Sequence, residues 1–192
     1  LRVLLAEVGI PDATFVTEFS SEELPEDRWS HSGVDEGEFL FSANPGESVR
    51  PLARVASGGE LSRVMLALKT LAPVDNSRKT LLFDEIDPGV GGEVSGKVGA
   101  LIERLSMNFQ VICVTHLPQI AAYGDTHLAV TKMEEGGRTV AKIESLGEEG
   151  RVEELAKLMT GHSSASARAG ASDMLEANIE RKRRAKAKGE SQ

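Results

Sequence analysis

Residues 80–87 read Thr-Leu-Leu-Phe-Asp-Glu-Ile-Asp, a short apolar run that ends in acids. Thr80 to Phe83 has the length and bounds of a strand. A buried strand that delivers two adjacent carboxylates is costly unless those carboxylates meet a cation or have a proton to move. Ligands bind at the carboxyl ends of strands in open α/β sheets, which is where this strand places Asp84 and Glu85. Asp84 there suits Mg²⁺ held largely through water, and Glu85 suits the polarisation of an attacking water. The plainer reading is two solvated acids at a strand end.

Downstream, Val94, Val98, Leu101, Ile102 and Leu105 keep helical spacing, and Gln110 to Thr115 makes a second apolar strand. Continuous apolar runs predict that both strands are buried on both faces. The second strand carries His116 to the same edge, where a neutral imidazole can hydrogen-bond a γ-phosphate and sense it; a lone histidine at a strand end is otherwise structural. Cys113 and His116 have metal-like spacing, but with one cysteine and no second ligand cluster Cys113 reads as a small core residue.

Upstream, Ala56-Ser57-Gly58-Gly59-Glu60-Leu61-Ser62 opens a helix whose apolar positions Leu61, Val64, Met65, Leu68 and Leu71 recur at three and four, with Pro73 ending it. Exposed N–H groups and the helix dipole make such a start an anion site, and glycine lets a phosphate approach closely. The same residues also make an ordinary N-cap, with Ser57 and Glu60 in capping-box spacing. Gly91-Gly92-Glu93-Val94-Ser95-Gly96-Lys97-Val98 nearly matches a phosphate loop, but Val98 has no hydroxyl for a metal and acids separate it from the preceding strand. It reads as the first turns of a helix.

The remaining segments extend this strand–helix alternation. Leu1, Leu4, Leu5 and Val8 share a helical face, which predicts a helix entering from an earlier segment. Residues 13–20 and 38–42 read as strands, around an acidic, turn-rich stretch that holds Trp29 and suggests no function. Leu128–Met133 and Thr139–Ile143 read as a hairpin, Arg151–Met159 as a helix ended by Gly161, and 165–185 as an Ala-rich helix. The class is α/β with an antiparallel annex. Of 192 residues, 40% are hydrophobic and 27% charged, an ordinary globular balance. No apolar run approaches the roughly 20 residues of a membrane span. The single cysteine fits a reducing compartment, and no signal-peptide pattern opens the chain, so the expectation is a cytosolic protein. The net charge of -8 argues against a basic nucleic-acid coat, yet Arg181, Lys182, Arg183, Arg184, Lys186 and Lys188 cluster. That cluster reads as a solvated helix end or as a contact for DNA phosphates.

SGGE, LLFDE and a strand ending in histidine stand in the order and spacing found in ABC-type ATPases. The chain resembles their signature motif at Ser57-Gly58-Gly59-Glu60, their Walker B at Leu81–Glu85 and their switch histidine at His116, with Ile86–Gly92 in the place of the D-loop. Three longer strings, VASGGELSRVMLALK, LLFDEIDPGVGG and QVICVTHLPQIAAYGD, resemble the RecN family of bacterial DNA-repair proteins across residues 37–160.

The resemblance implies the C-terminal lobe of a split ABC/SMC-type P-loop ATPase head: a mostly parallel sheet flanked by helices, with an antiparallel hairpin. It divides the chain into the end of a coiled-coil helix (1–12), the lobe (13–163) and a C-terminal helix with a basic tail (164–192). The Walker A and Q-loop would lie in an N-terminal half beyond a long coiled coil, making this chain a fragment or half of a head. ATP and Mg²⁺ are the implied cofactors. Asp84 would hold the metal, and Glu85 and His116 would act on the nucleotide of their own head. Ser57, Gly58, Gly59 and Glu60 would bind ATP on a second head, and Asp87 would link the two sites along the seam. Implied partners are the N-terminal half, a second head in an ATP-dependent homodimer, DNA ends or single strands, and a recombinase. The implied setting is recombinational repair of double-strand breaks at the bacterial nucleoid, with no membrane. The alternatives are another SMC-like head, of the cohesin type for example, and a silent scaffold that dimerises or binds DNA; Glu85 argues against the second.

Overall fold

The computed structural model describes residues 1–21, 25–31, 33–55, 57–73 and 79–189. Part of the acidic stretch, Ala56 and the side chains of Lys186 and Lys188 lie outside the described residues. The chain opens with α1 (Arg2–Glu7), then β1 (Thr14–Ser21), β2 (Asp35–Ser42) and the two-residue β3 (Arg50–Pro51). β1 and β2 pair antiparallel from Thr14↔Ser42 to Ser21↔Asp35, and β3 joins the far side of β2. Phe15 and Phe39 stack across this sheet at 5.2 Å between ring centres.

The centre is a βαβ unit. α2 (Gly58–Leu71) leads to β4 (Thr80–Phe83), α3 (Gly92–Ser106) crosses over, and β5 (Gln110–Cys113) returns parallel to β4, with Thr80↔Gln110 and Phe83↔Cys113 in register. A short α4 (Pro118–Ala121) follows; its Pro118 stands in the first turn, where a missing N–H costs nothing. β6 (Leu128–Glu135) and β7 (Arg138–Ser145) form the expected hairpin, turning on Gly136 and Gly137, both left-handed. α5 (Glu148–Thr160) and the long α6 (Ala165–Gly189) complete the chain.

The α/β class and the hairpin are as expected, and among the described residues the parallel pairing is confined to β4 and β5. The main core joins Leu5 and Val8 of α1, Val64 and Leu66 of α2, Phe83, Ile86, and Val98 and Leu105 of α3. A second cluster of Ala122, Leu155, Ala156, Ala167 and Ala171 packs α5 against α6.

Two expectations need correction. β4 and β5 are buried on one face only: Leu81, Phe83, Val111 and Cys113 pack on the core, whereas Leu82, Ile112 and Val114 are 66%, 46% and 55% exposed. The period of two sends alternate residues to opposite faces, and among the described residues only one face is covered. On α2 the buried positions are Gly59, Arg63, Val64, Leu66 and Ala67, so the inward face is rotated from the apolar stripe and Leu71 is exposed.

Candidate functional site

β4 and β5 end side by side, and the pairing runs one step further, with the Val114 N–H donating to Phe83 O at 2.9 Å. Beyond that point the chains diverge and leave an open cleft of about 290 Å³, whose walls include Asp84, Glu85, Asp87 and His116. The four acid and imidazole positions read from the sequence therefore share one cleft. A larger groove of about 400 Å³ lies between α5 and α6, and none of those positions lines it.

Asp84 is exposed; its Oδ1 accepts the N–H of Glu85 at 2.8 Å, and its carbonyl accepts the Ser62 hydroxyl at 2.8 Å. Glu85 has φ 53, the one positive value of a non-glycine residue among the described residues. Such a conformation is held by its surroundings and is common at functional sites. It turns the chain sharply and lays the Glu85 carboxylate against Gly58, so that a Cβ on Gly58 would collide with Oε2. Gly59 is tighter in a different way: its Cβ would meet Pro88 Cβ at 3.0 Å, Pro88 O at 3.1 Å and Glu85 O at 3.2 Å. The two glycines thus let the start of α2 pack on the loop after β4. At Gly59 the side left open by the missing Cβ is taken by that loop, so there the glycine serves packing. Ser57 caps α2 through its Oγ, which accepts the Glu60 N–H at 3.3 Å, as the N-cap reading anticipates.

Asp87 points inward and is 5% exposed. Its Oδ1 and Oδ2 accept the Thr115 hydroxyl at 2.8 and 2.9 Å, and Oδ2 accepts the backbone N–H of His116 at 2.6 Å. The Nδ1 of His116 lies 2.8 Å from the same oxygen, although the His116 side chain as a whole is 76% exposed. In this structure the Asp87 carboxylate is therefore spent within its own chain, which is not the geometry of a group reaching along a seam.

Arg63 holds the same loop from behind. It is 4% exposed, donates to Ile86 O at 3.4 Å and to Pro88 O through a shorter bond, and its Nε has no partner. Burial pulls its pKa below the usual guanidinium range, opposed by Glu60. Ser62, Arg63 and Thr115 all position the loop and were not picked out in the sequence. A signal existed for Arg63, since it is four residues after Gly59 and in phase with Leu66 and Ala67.

Cys113 is a core thiol: burial first, then Asp87 and Asp84, push its pKa up to about 12. Among the described residues no group of three or more metal-ligating side chains is assembled. The near-match to a phosphate loop is the start of α3, where Lys97 pairs with Glu93 at 2.7 Å on the surface and Ser95 caps Gly92 O at 2.5 Å. The basic cluster is partly committed elsewhere. Arg181 pairs with Glu103 and stacks 4.3 Å above the Tyr123 ring, and Lys182 reaches Asp125 at 2.5 Å and Tyr123 O at 3.2 Å. Arg184 pairs with Glu180 at 3.0 Å.

No family model matches the chain. Individual proteins do. It is 44% identical over 161 residues to the DNA repair protein RecN of Halalkalibacterium halodurans, covering 84% of this chain and 28% of that protein. Identity to RecN of Bacillus subtilis is 39% over 168 residues, covering 82% and 29%. For RecN of Deinococcus radiodurans the figures are 41% over 175 residues, 91% and 30%. Among solved structures, an Smc head domain with a coiled coil and joint from Pyrococcus yayanosii superposes with a TM-score of 0.53 at 23% identity, covering 83% of this chain and 28% of that one. That likeness speaks for the fold. The chain spans less than a third of each of these three relatives, and over that span it belongs to the RecN family of DNA repair proteins.

Proposed function

We propose that this chain is the C-terminal lobe of a split, SMC-like ATPase head that binds and hydrolyses ATP between two heads, in recombinational repair of DNA double-strand breaks. The observation that carries the reading is the convergence of Asp84, Glu85 and His116 on one cleft at the ends of adjacent parallel strands, with the Ser57–Gly59 helix start packed on the same loop. Asp84 suits Mg²⁺: one carboxylate oxygen takes the Glu85 N–H and the other takes no hydrogen bond among the described residues, the single-carboxylate donor set that Mg²⁺ accepts when water and phosphate complete its shell. Mg²⁺ bound there supplies charge neutralisation to the phosphates. Glu85 takes a proton from the attacking water, and His116 contacts the terminal phosphate of the same nucleotide.

Ser57, Gly58, Gly59 and Glu60 serve the ATP of a second head. Ser57 accepts at its Oγ from Glu60 N–H and so keeps its own hydroxyl proton for a phosphate oxygen, next to the positive end of α2. The phosphate loop comes from an N-terminal half. Support for that partner is the apolar outer face of β4 and β5, with Leu82, Ile112 and Val114 exposed side by side. DNA and a recombinase remain partners inferred from the family.

The test is ATP turnover by this chain alone and after joining it to the Walker A half. Turnover only in the joined form supports the reading; turnover by the chain alone revives the Gly91–Val98 segment and sinks it. In the joined head, Glu85→Gln should trap an ATP-bound dimer with turnover down about 100-fold or more. Ser57→Arg should block ATP-dependent dimerisation while the thermal melt of each head is unchanged.

A further inference from the structure

We infer that Asp87 is a positioning residue for His116: it commits Nδ1 of the ring to itself and leaves Nε2 as the nitrogen presented to the cleft. The inference about activity rests on the reading of His116 given above; the inference about the ring does not.

The argument begins with the burial of Asp87. A carboxylate that is 5% exposed is tolerated when its lone pairs are met, and here they are met by one short segment. Thr115 Oγ1 lies 2.8 and 2.9 Å from its two oxygens, and the His116 N–H donates at 2.6 Å. Thr115 Oγ1 in turn accepts the Leu117 N–H at 3.0 Å, which fixes the hydroxyl as a donor toward Asp87. Backbone and side chain of residues 115–117 are thereby tied to the loop after β4 before the imidazole is considered.

The ring is then constrained twice. Its backbone is pinned, and its Nδ1 is 2.8 Å from Oδ2 of Asp87. At that separation a lone pair on Nδ1 would face the lone pairs of a carboxylate, so Nδ1 carries the proton. This reverses the usual preference of free histidine for a proton on Nε2. With Nδ1–H committed, the neutral ring offers a lone pair from Nε2 to the cleft. It donates there only when the ring carries a second proton. A neutral ring donating to a phosphate, as the sequence suggests, does not fit this geometry.

Arg63 extends the arrangement. It grips Ile86 O and Pro88 O on either side of Asp87, so the residue that orients His116 is itself held by α2. The same helix begins at Ser57–Gly59. The orientation of His116 and the seating of the helix start therefore depend on one loop of five residues, 84–88.

The ring can be tested without nucleotide. In the 192-residue chain labelled with ¹⁵N-histidine, long-range ¹H–¹⁵N spectra distinguish the two tautomers, and His116 is assigned by the resonance lost in His116→Gln. The expected result is a predominantly Nδ1-protonated neutral ring that shifts several-fold toward Nε2–H in Asp87→Asn. A wild-type ring mainly protonated on Nε2 overturns the inference, whatever the variant does. In the joined head, Asp87→Asn should lower kcat by about 10- to 100-fold with KM little changed, the usual cost of losing an orienting partner. In the His116→Gln background the same change should cost less than about twofold, because the two act through one ring. Effects that multiply independently mean that Asp87 acts by another route and overturn its role in turnover. If His116→Gln alone leaves turnover unchanged, the nucleotide reading of His116 fails, while the spectra still decide the tautomer.

Discussion

Two regions of the chain bury cations, and they do so by different physics. Behind the cleft, Arg63 is almost fully enclosed and forms no ion pair among the described residues, with Glu60 acting on its charge without pairing; its donors go to the carbonyls of Ile86 and Pro88. At the other end of the chain, Arg181 and Lys182 of α6 remain about a third exposed and meet Glu103, Asp125 and the face of Tyr123. The first arrangement spends desolvation energy to hold a backbone in one shape, and salt has little access to it. The second is an ion-pair latch that tethers a long helix, modest in energy and open to screening. Precision is found where acids must be aimed, and the looser bond is found where a helix needs only to be kept nearby.

The largest expected effect tests the first half of that contrast. Arg63→Met keeps much of the volume and removes the buried charge, but it leaves two carbonyls without their donor. The expected loss is about 2–4 kcal/mol in urea unfolding, the scale of two unmet buried acceptors less the relief of desolvation. The loss should be the same at low and high salt. A loss that shrinks with salt makes Arg63 an ion-pair residue like Arg181 and erases the distinction. Next in size is Gly59→Ala. Helix propensity favours alanine by about 1 kcal/mol, but the new Cβ meets backbone of Glu85 and Pro88 that cannot turn aside. A net loss of about 1–2 kcal/mol is expected. The same change at Gly58, where the obstacle is the end of the Glu85 side chain, should leave stability unchanged or slightly raised.

The two regions also differ in how far the sequence revealed them. β4 falls on Thr80–Phe83 as expected, and α3, the hairpin and α5 stand within a few residues of their anticipated ends, because period and turn residues are local properties. The gathering of Asp84, Glu85 and His116 was legible for the same reason: two short strands ending in polar residues must meet if they pair in parallel. The inward turn of Asp87 was not, since nothing local says which way a carboxylate faces after a left-handed residue. Nor was the latch. Six basic residues read as one surface, yet Arg181 and Lys182 reach partners 57 to 78 positions away. The rotated face of α2 is a third case: counting only apolar residues omits Gly59 and Arg63, which are among its most buried positions.

The latch gives a smaller prediction of opposite salt dependence. Arg181→Gln removes the pair with Glu103 and the cation over Tyr123, whose ring already lies close on Gly99 of α3. The expected cost is about 1 kcal/mol at low salt. It should fall by half or more near 1 M salt, where the screening length is about 3 Å. A cost that is unchanged by salt would place the energy in packing of the arginine stem.

At neutral pH Cys113 supplies no ionisation effect at all; its contribution appears only in alkali. It sits on the buried side of β5, under the acids of the cleft, and burial with Asp87 and Asp84 raises its pKa from 9.0 to about 12. Below pH 9.0 the thiol is protonated in both the folded and the unfolded chain and contributes no pH dependence. Between pH 9.0 and about 12 the unfolded chain releases the proton while the folded chain retains it, so stability is lost as pH rises. The slope cannot exceed about 1.4 kcal/mol per pH unit for one group. Lysine side chains in general have ordinary pKa values inside this range, so total alkaline sensitivity does not isolate the thiol. The difference between wild type and Cys113→Ala does, because the lysines are common to both. The wild type should lose its advantage over the variant progressively above pH 9.0 and hold it constant below. Parallel curves up to about pH 11 would mean that the thiol ionises as readily in the fold as outside it, and that the acid-lined end of β5 is more open to water than its packing indicates.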